Sequence, residues 1–137
     1  MTQAYLNALT RKIIGAAIDV HKELGPGLLE SIYEKCLIHI LQEEKLKVVS
    51  QQKIPVTFRG IQLECDLRYD LLVEDIIVVE IKAVANILPI HEAQLLTYLK
   101  LLQKPKGILL NFNCTNISKY GQQTMVNDLF AKLPKGY

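Results

Sequence analysis

The segment YDLLVEDIIVVEIKA, Tyr69 to Ala83, constrains the fold more than any other part of the chain. Its runs LLV and IIVVEI lack the apolar/polar alternation of a strand with one wet face and suit strands covered on both sides. Strands of that kind need helices packed on both faces, so the segment predicts the centre of an α/β sheet. The same segment carries Asp70, Glu80 and Lys82. A charge in such a setting needs an ionic partner, a metal ion or a shifted pKa.

The flanking sequence supplies the covering helices. Apolar residues recur at helical spacing from about Thr2 to Glu23, at Leu6, Leu9, Ile13, Ala17 and Val20 among others. LGPGLLE then ends one helix and starts another, because Gly25 suits a C-cap and Pro26 cannot continue a helix. The second helix is expected over Leu28 to Glu44, with Leu29, Ile32, Tyr33, Cys36, Leu37 and Ile40 facing inward. VVSQQKIPVTF and the alternating Ile61 to Tyr69 read as strands joined by a turn at Arg59-Gly60. After the central pair, HEAQLLTYLKLL returns to helical spacing, ILLNF is a short buried strand, and Met125, Val126, Leu129 and Phe130 predict a final helix. The expected order is α-α-β-β-β-β-α-β-α, a central mixed sheet flanked by helices in a single domain over residues 1–137.

Composition narrows the function. A chain of 137 residues accommodates one ordinary core. No apolar run approaches the ~20 residues that cross a bilayer, and MTQAYLNALTRK lacks a signal peptide's apolar block, so a cytoplasmic protein is expected. Cys36, Cys65 and Cys114 are odd in number and dispersed, which fits neither a disulfide framework nor a C-x-x-C zinc site. There is no G-x-S-x-G, Walker loop or G-x-G-x-x-G. A net charge of +2 does not mark a strongly basic nucleic-acid binder, although Lys53, Arg59, Arg68, Lys100, Lys104 and Lys106 would supply phosphate contacts if they converged.

Glu80 and Lys82 share one strand face. The side on which Asp70 falls depends on the loop between the two strands. A two-residue turn at Glu74-Asp75 would pair Asp70 with Val79 and separate the acids; a three-residue loop, Glu74 to Ile76, would pair Asp70 with Glu80. Adjacent carboxylates repel unless a cation lies between them, and a hard divalent ion such as Mg²⁺ takes oxygen ligands and works at phosphates. Lys82 would then position or deprotonate the attacking water or offset charge on phosphorus. The competing reading is a buried structural network, and Asp66, on the same face as Asp70, is a rival acid.

Asp70 followed by Glu80-Ile81-Lys82 resembles the core signature of the PD-(D/E)XK nuclease superfamily, with Tyr69 where the motif's name has Pro. GLLESIY, Gly27 to Tyr33, resembles the defining motif of the GxxExxY protein family. AAIDVHKELGPGLLESIYE, LLVED, VVEIKAV and HEAQLLTYLK read like that family in order, from Leu9 to Phe112. The resemblance implies a restriction-endonuclease-like fold and Mg²⁺-dependent hydrolysis of nucleic acid, with Mn²⁺ as a substitute ion and DNA ahead of RNA. It implies Glu30, Asp70 and Glu80 as metal ligands, Lys82 as the residue assisting the water, and Gln94 as one that places water or phosphate. Tyr98, one turn beyond Gln94, and Tyr33, one turn beyond Glu30, are expected to be core residues, and His21 and His91 to stay outside the metal shell. The alternative is a non-catalytic binding or regulatory module that keeps the nuclease fold. A homodimer would supply two sites for the two strands of a duplex.

Overall fold

The structure, a computed structural model, describes residues 1–136. The chain runs α1 (Gln3–Leu24), α2 (Glu30–Glu43), β1 (Val48–Ser50), β2 (Val56–Phe58), β3 (Ile61–Leu63), β4 (Leu71–Val73), β5 (Ile77–Lys82), α3 (Pro89–Leu102), β6 (Lys106–Asn111), α4 (Ile117–Tyr120), β7 (Gln122–Val126) and α5 (Asp128–Ala131). Thr2 caps α1, its hydroxyl accepting from the Tyr5 amide at 3.0 Å, and Gly25 ends the helix at φ 69°. The turn into α2 is held from the core. The Tyr33 hydroxyl donates to the Gly25 carbonyl at 2.6 Å and accepts from the Leu28 amide at 3.1 Å, while its ring stacks on Phe112 at 4.4 Å.

Helix α2 starts later than its apolar pattern suggests. Leu29 sits in extended backbone as the N-cap and is 71% exposed, Ile32 is also exposed, and the buried stripe is Tyr33, Leu37 and Leu41. Its first turn therefore leaves the core and carries Glu30 toward the sheet.

Five strands form one sheet in the order β1-β4-β5-β6-β7. The β5–β6 pair is parallel and is crossed over by α3; the other pairs are antiparallel. Residues Leu6, Ile13, Leu37, Val79 and Ile81 belong to a core between the sheet and α1 with α2. A second core under α3 contains Leu72, Val78, Leu95, Leu99 and Leu109. The doubly apolar strands are thus the centre of a two-faced α/β sheet, as the sequence predicts.

Two expectations are corrected. Met125 and Val126 belong to β7, which pairs with β6 at Gly107↔Met125 and Lys106↔Val126, and only Leu129 and Phe130 enter the short α5. Their spacing fits a helix, but β6 has an open edge whose backbone groups require a partner strand. VVSQQKIPVTF divides at Gln51, at φ 52°, so β2 and β3 leave the sheet as a separate ribbon. Its turn is at Arg59-Gly60, with φ of 50° and 78°, and Phe58 and Ile61 are exposed rather than buried. Among the described residues no helix is long and apolar enough to cross a membrane.

Candidate functional site

The β4–β5 loop decides the site. Val73 pairs with Ile77, Leu72 with Val78 and Leu71 with Val79, leaving the three residues Glu74 to Ile76 between the strands. Glu74 and Asp75 take left-handed φ values of 52° and 58°, and Lys47 holds both, its amide donating to Glu74 at 2.6 Å and its ammonium to Asp75 at 2.8 Å. Continuing the register sets Asp70 opposite Glu80. The Asp70 amide donates to Glu80 Oε1 at 3.3 Å, and the Ile81 amide donates to Asp70 Oδ2 at 2.8 Å.

Glu80 is 5% exposed. Burial, then the charge of Asp70 and a hydrogen bond to it, pushes the Glu80 carboxyl up to about 9. Lys82 opposes this only as a lesser influence. At neutral pH the pair therefore holds a proton, and among the described residues Glu80 and Lys82 form no ion pair. Of the three escapes open to a buried charge, Glu80 shows the shifted pKa.

Asp70 is clamped from its other side. Gln51 Nε2 donates to Asp70 Oδ1 at 3.0 Å and to Glu34 Oε1 at 2.8 Å, and the Gln51 amide donates to the Asp70 carbonyl at 2.9 Å. Arg68 Nη1 in turn holds the Gln51 carbonyl at 2.8 Å. The Glu34 carboxyl is raised above its ordinary value, first by burial, with the Gln51 bond opposing and the charges of Asp70 and Glu30 adding to the rise. Glu30 Oε2 accepts from the Ala83 amide at 3.2 Å, one residue beyond Lys82. Glu30, Ser31, Glu34, Gln51 and Asp70 line a cleft of about 330 Å³. Sequence reasoning missed Glu34 and Gln51. The signal for Glu34 was its place one turn after Glu30 on the same helix face; nothing in the sequence marks the left-handed bend that aims Gln51.

The remaining candidates separate. Asp66 is bound to Arg68 at 3.0 Å and is exposed in the segment between β3 and β4, away from Glu80. Gln94 is exposed and, among the described residues, makes no side-chain hydrogen bond to the acids. Tyr98, four residues on, is buried, and its hydroxyl is raised first by burial and then by the charges of Glu80 and Asp70. His21 Nε2 lies 3.1 Å and 2.9 Å from the carbonyls of Phe112 and Cys114, while His91 Nδ1 caps α3 by accepting from Leu88 at 3.0 Å. The basic residues do not converge. Lys53, Arg59 and Arg68 follow the β2–β3 ribbon and its flanks, whereas Lys106 is buried against Asn7 and Phe130 at the opposite end of β6.

The donors fit a hard cation in kind, all being carboxylate oxygens, and a cation beside Glu80 would relieve the burial and the repulsion from Asp70 that raise its pKa. Among the described residues no three acids, histidines or cysteines gather closely enough to hold a metal ion by themselves. Mg²⁺ commonly binds through one or two carboxylates with waters and substrate phosphates completing its shell, so a two-acid seat is adequate. The family described as the PD-(D/E)XK nuclease superfamily matches residues 7–124. No curated protein and no solved structure matches the chain.

Proposed function

The chain belongs to the PD-(D/E)XK nuclease superfamily, and from that membership and the pairing of Asp70 with Glu80 we propose that it hydrolyses phosphodiester bonds of nucleic acid with Mg²⁺ or Mn²⁺. The observation that carries the reading is the three-residue loop, which seats the two acids against one another, where burial and then the charge of Asp70 push the Glu80 carboxyl up to about 9. Asp70 and Glu80 would hold the ion, with Glu30, whose Oε2 accepts from the Ala83 amide, as the further acid beside them. The bound ion supplies Lewis-acid activation of water and offsets charge on the phosphoryl oxygens.

The protein's own groups do the rest. Glu80 would be the carboxyl that exchanges a proton for the ion, because burial and the charge of Asp70 raise its pKa and a neighbouring cation would oppose that rise. Gln51 and Glu34 keep Asp70 in place, and Tyr98 covers the pair from α3. Lys82, at the end of β5 and half-buried, steers the attacking water or neutralises the developing charge. Gln94, exposed one turn before Tyr98, meets the phosphate rather than the acids. GLLESIY supports membership of the GxxExxY group, DNA is favoured over RNA, and a dimer would serve both strands of a duplex.

A second reading has its own support. The basic residues do not gather around the acids, and Glu30 is bonded to backbone, which suits a binding module without turnover. Incubating wild type, Glu80→Gln and Asp70→Asn with labelled single- and double-stranded DNA and RNA plus Mg²⁺ or Mn²⁺ separates the two. The nuclease reading expects cleavage that falls on the order of 100-fold or more in both variants. Binding without cleavage by wild type selects the module.

A further inference from the structure

A second cleft, of about 310 Å³, opens outside the carboxyl ends of the parallel strands β5 and β6. Its wall includes the carboxamides of Asn86, Asn111, Asn113, Gln122 and Gln123 and no charged side chain. Neutral amides offer paired donors and acceptors, as the edges of nucleobases do, and they lack the cations that would hold a phosphate. Leu109 adds apolar wall, and Tyr120, 65% exposed, is also part of the lining, with Lys119 Nζ 5.4 Å from its ring centroid, so a base stacks on the ring face that Lys119 leaves open. An exposed phenol ring beside free amide edges is a stacking surface for a flat heterocycle.

The cleft is built rather than incidental. Asn111 is buried and spends its amide on the scaffold, donating to the Val84 carbonyl at 2.9 Å and accepting from the amides of Val84 at 3.1 Å and Asn113 at 3.2 Å. That tie joins the segments after β5 and β6 into one wall. Gly121 closes the back, where a Cβ would stand 2.8 Å from Cys114 Sγ. Gln123 Nε2 is fixed by Glu92 at 2.9 Å, whereas Asn86 and Asn113 make no side-chain hydrogen bond among the described residues and are exposed. Asn111 also pairs in register with Lys82, so the cleft adjoins the end of β5 that carries the acids.

We propose that this cleft is a nucleobase pocket, in which one unstacked base of the substrate strand lies on Tyr120 and is read by Asn86 and Asn113. Its ligand class rests on the nuclease reading. A duplex keeps its bases stacked inward, so the pocket selects single-stranded or flipped-out positions near the scissile phosphate.

The test uses the four nucleosides, which carry no phosphate and so leave the acid site aside. They are titrated into the ¹⁵N-labelled full chain, and the side-chain amide signals of Asn86 and Asn113 are followed. The proposal expects saturable shifts that differ among the bases, affinity lowered on the order of tenfold in Tyr120→Ala, and affinity retained in Tyr120→Phe. Absence of shifts with every nucleoside, in protein that cleaves nucleic acid, overturns the pocket and leaves the nuclease reading standing. Shifts in protein that cleaves nothing support the pocket and remove the nuclease.

Discussion

Glu80 carries the sharpest tension in the molecule, a carboxyl buried beside another carboxyl. Its pKa in the folded protein is near 9, against 4.5 for the free group, so folding favours the protonated form. The sign follows from linkage. The contribution is fully present below about 4.5 and is lost as pH rises toward 9, because the unfolded chain releases this proton first. Glu80→Gln removes the titration while keeping a hydrogen-bonding group opposite Asp70. Thermal melts across pH should show the variant more stable than wild type above neutrality, with the difference shrinking toward pH ~4; a gap that stays constant with pH would contradict the assigned shift. At the same scale, Tyr33→Phe removes two hydrogen bonds from the α1–α2 turn and keeps the stack on Phe112. Denaturant unfolding should register a loss of about 1–3 kcal/mol.

Among the elements, the β4–β5 loop has the largest leverage, since side chains alternate faces with period two. Deleting Asp75 would leave a two-residue connection and would turn either Asp70 or Glu80 to the other face of the sheet. Metal binding should vanish, and hydrogen exchange in β5 should rise as apolar side chains are driven out of register; retained metal binding would show that the pairing is not what forms the site. This loop also marks the limit of what the residues alone disclose. Asp70, Glu80 and Lys82 are visible in the sequence as charges in apolar strands, but both loop lengths are compatible with YDLLVEDIIVVEIKA. The Lys47 contacts that stabilise the left-handed Glu74 and Asp75 come from a distant segment. Gln94 and Tyr98 illustrate the same limit, because helical spacing puts them on one face without saying which end of that face meets the sheet.

Across the whole molecule, long periodic segments are legible and partner-dependent ones are not. α1 and α3 follow their apolar spacing, and β5 is central because it is apolar on both sides. Met125 and Val126 carry helical spacing yet lie in β7, because a strand is completed by its neighbour, here β6, and Gln51 enters the site only through the break that frees the β2–β3 ribbon. At this scale the acids, the amide cleft and the end of β5 lie along one rim of the sheet. On the proposed reading, the proton that burial beside Asp70 keeps on Glu80 holds the place of a metal ion. Calorimetric titration of Mn²⁺ into wild type and Glu80→Gln at neutral pH, repeated in buffers of different ionisation enthalpy, tests it most directly. Wild type should bind with release of about one proton per ion, and binding should be abolished or greatly weakened in Glu80→Gln. Binding without proton release, or equal binding by the two proteins, would contradict it.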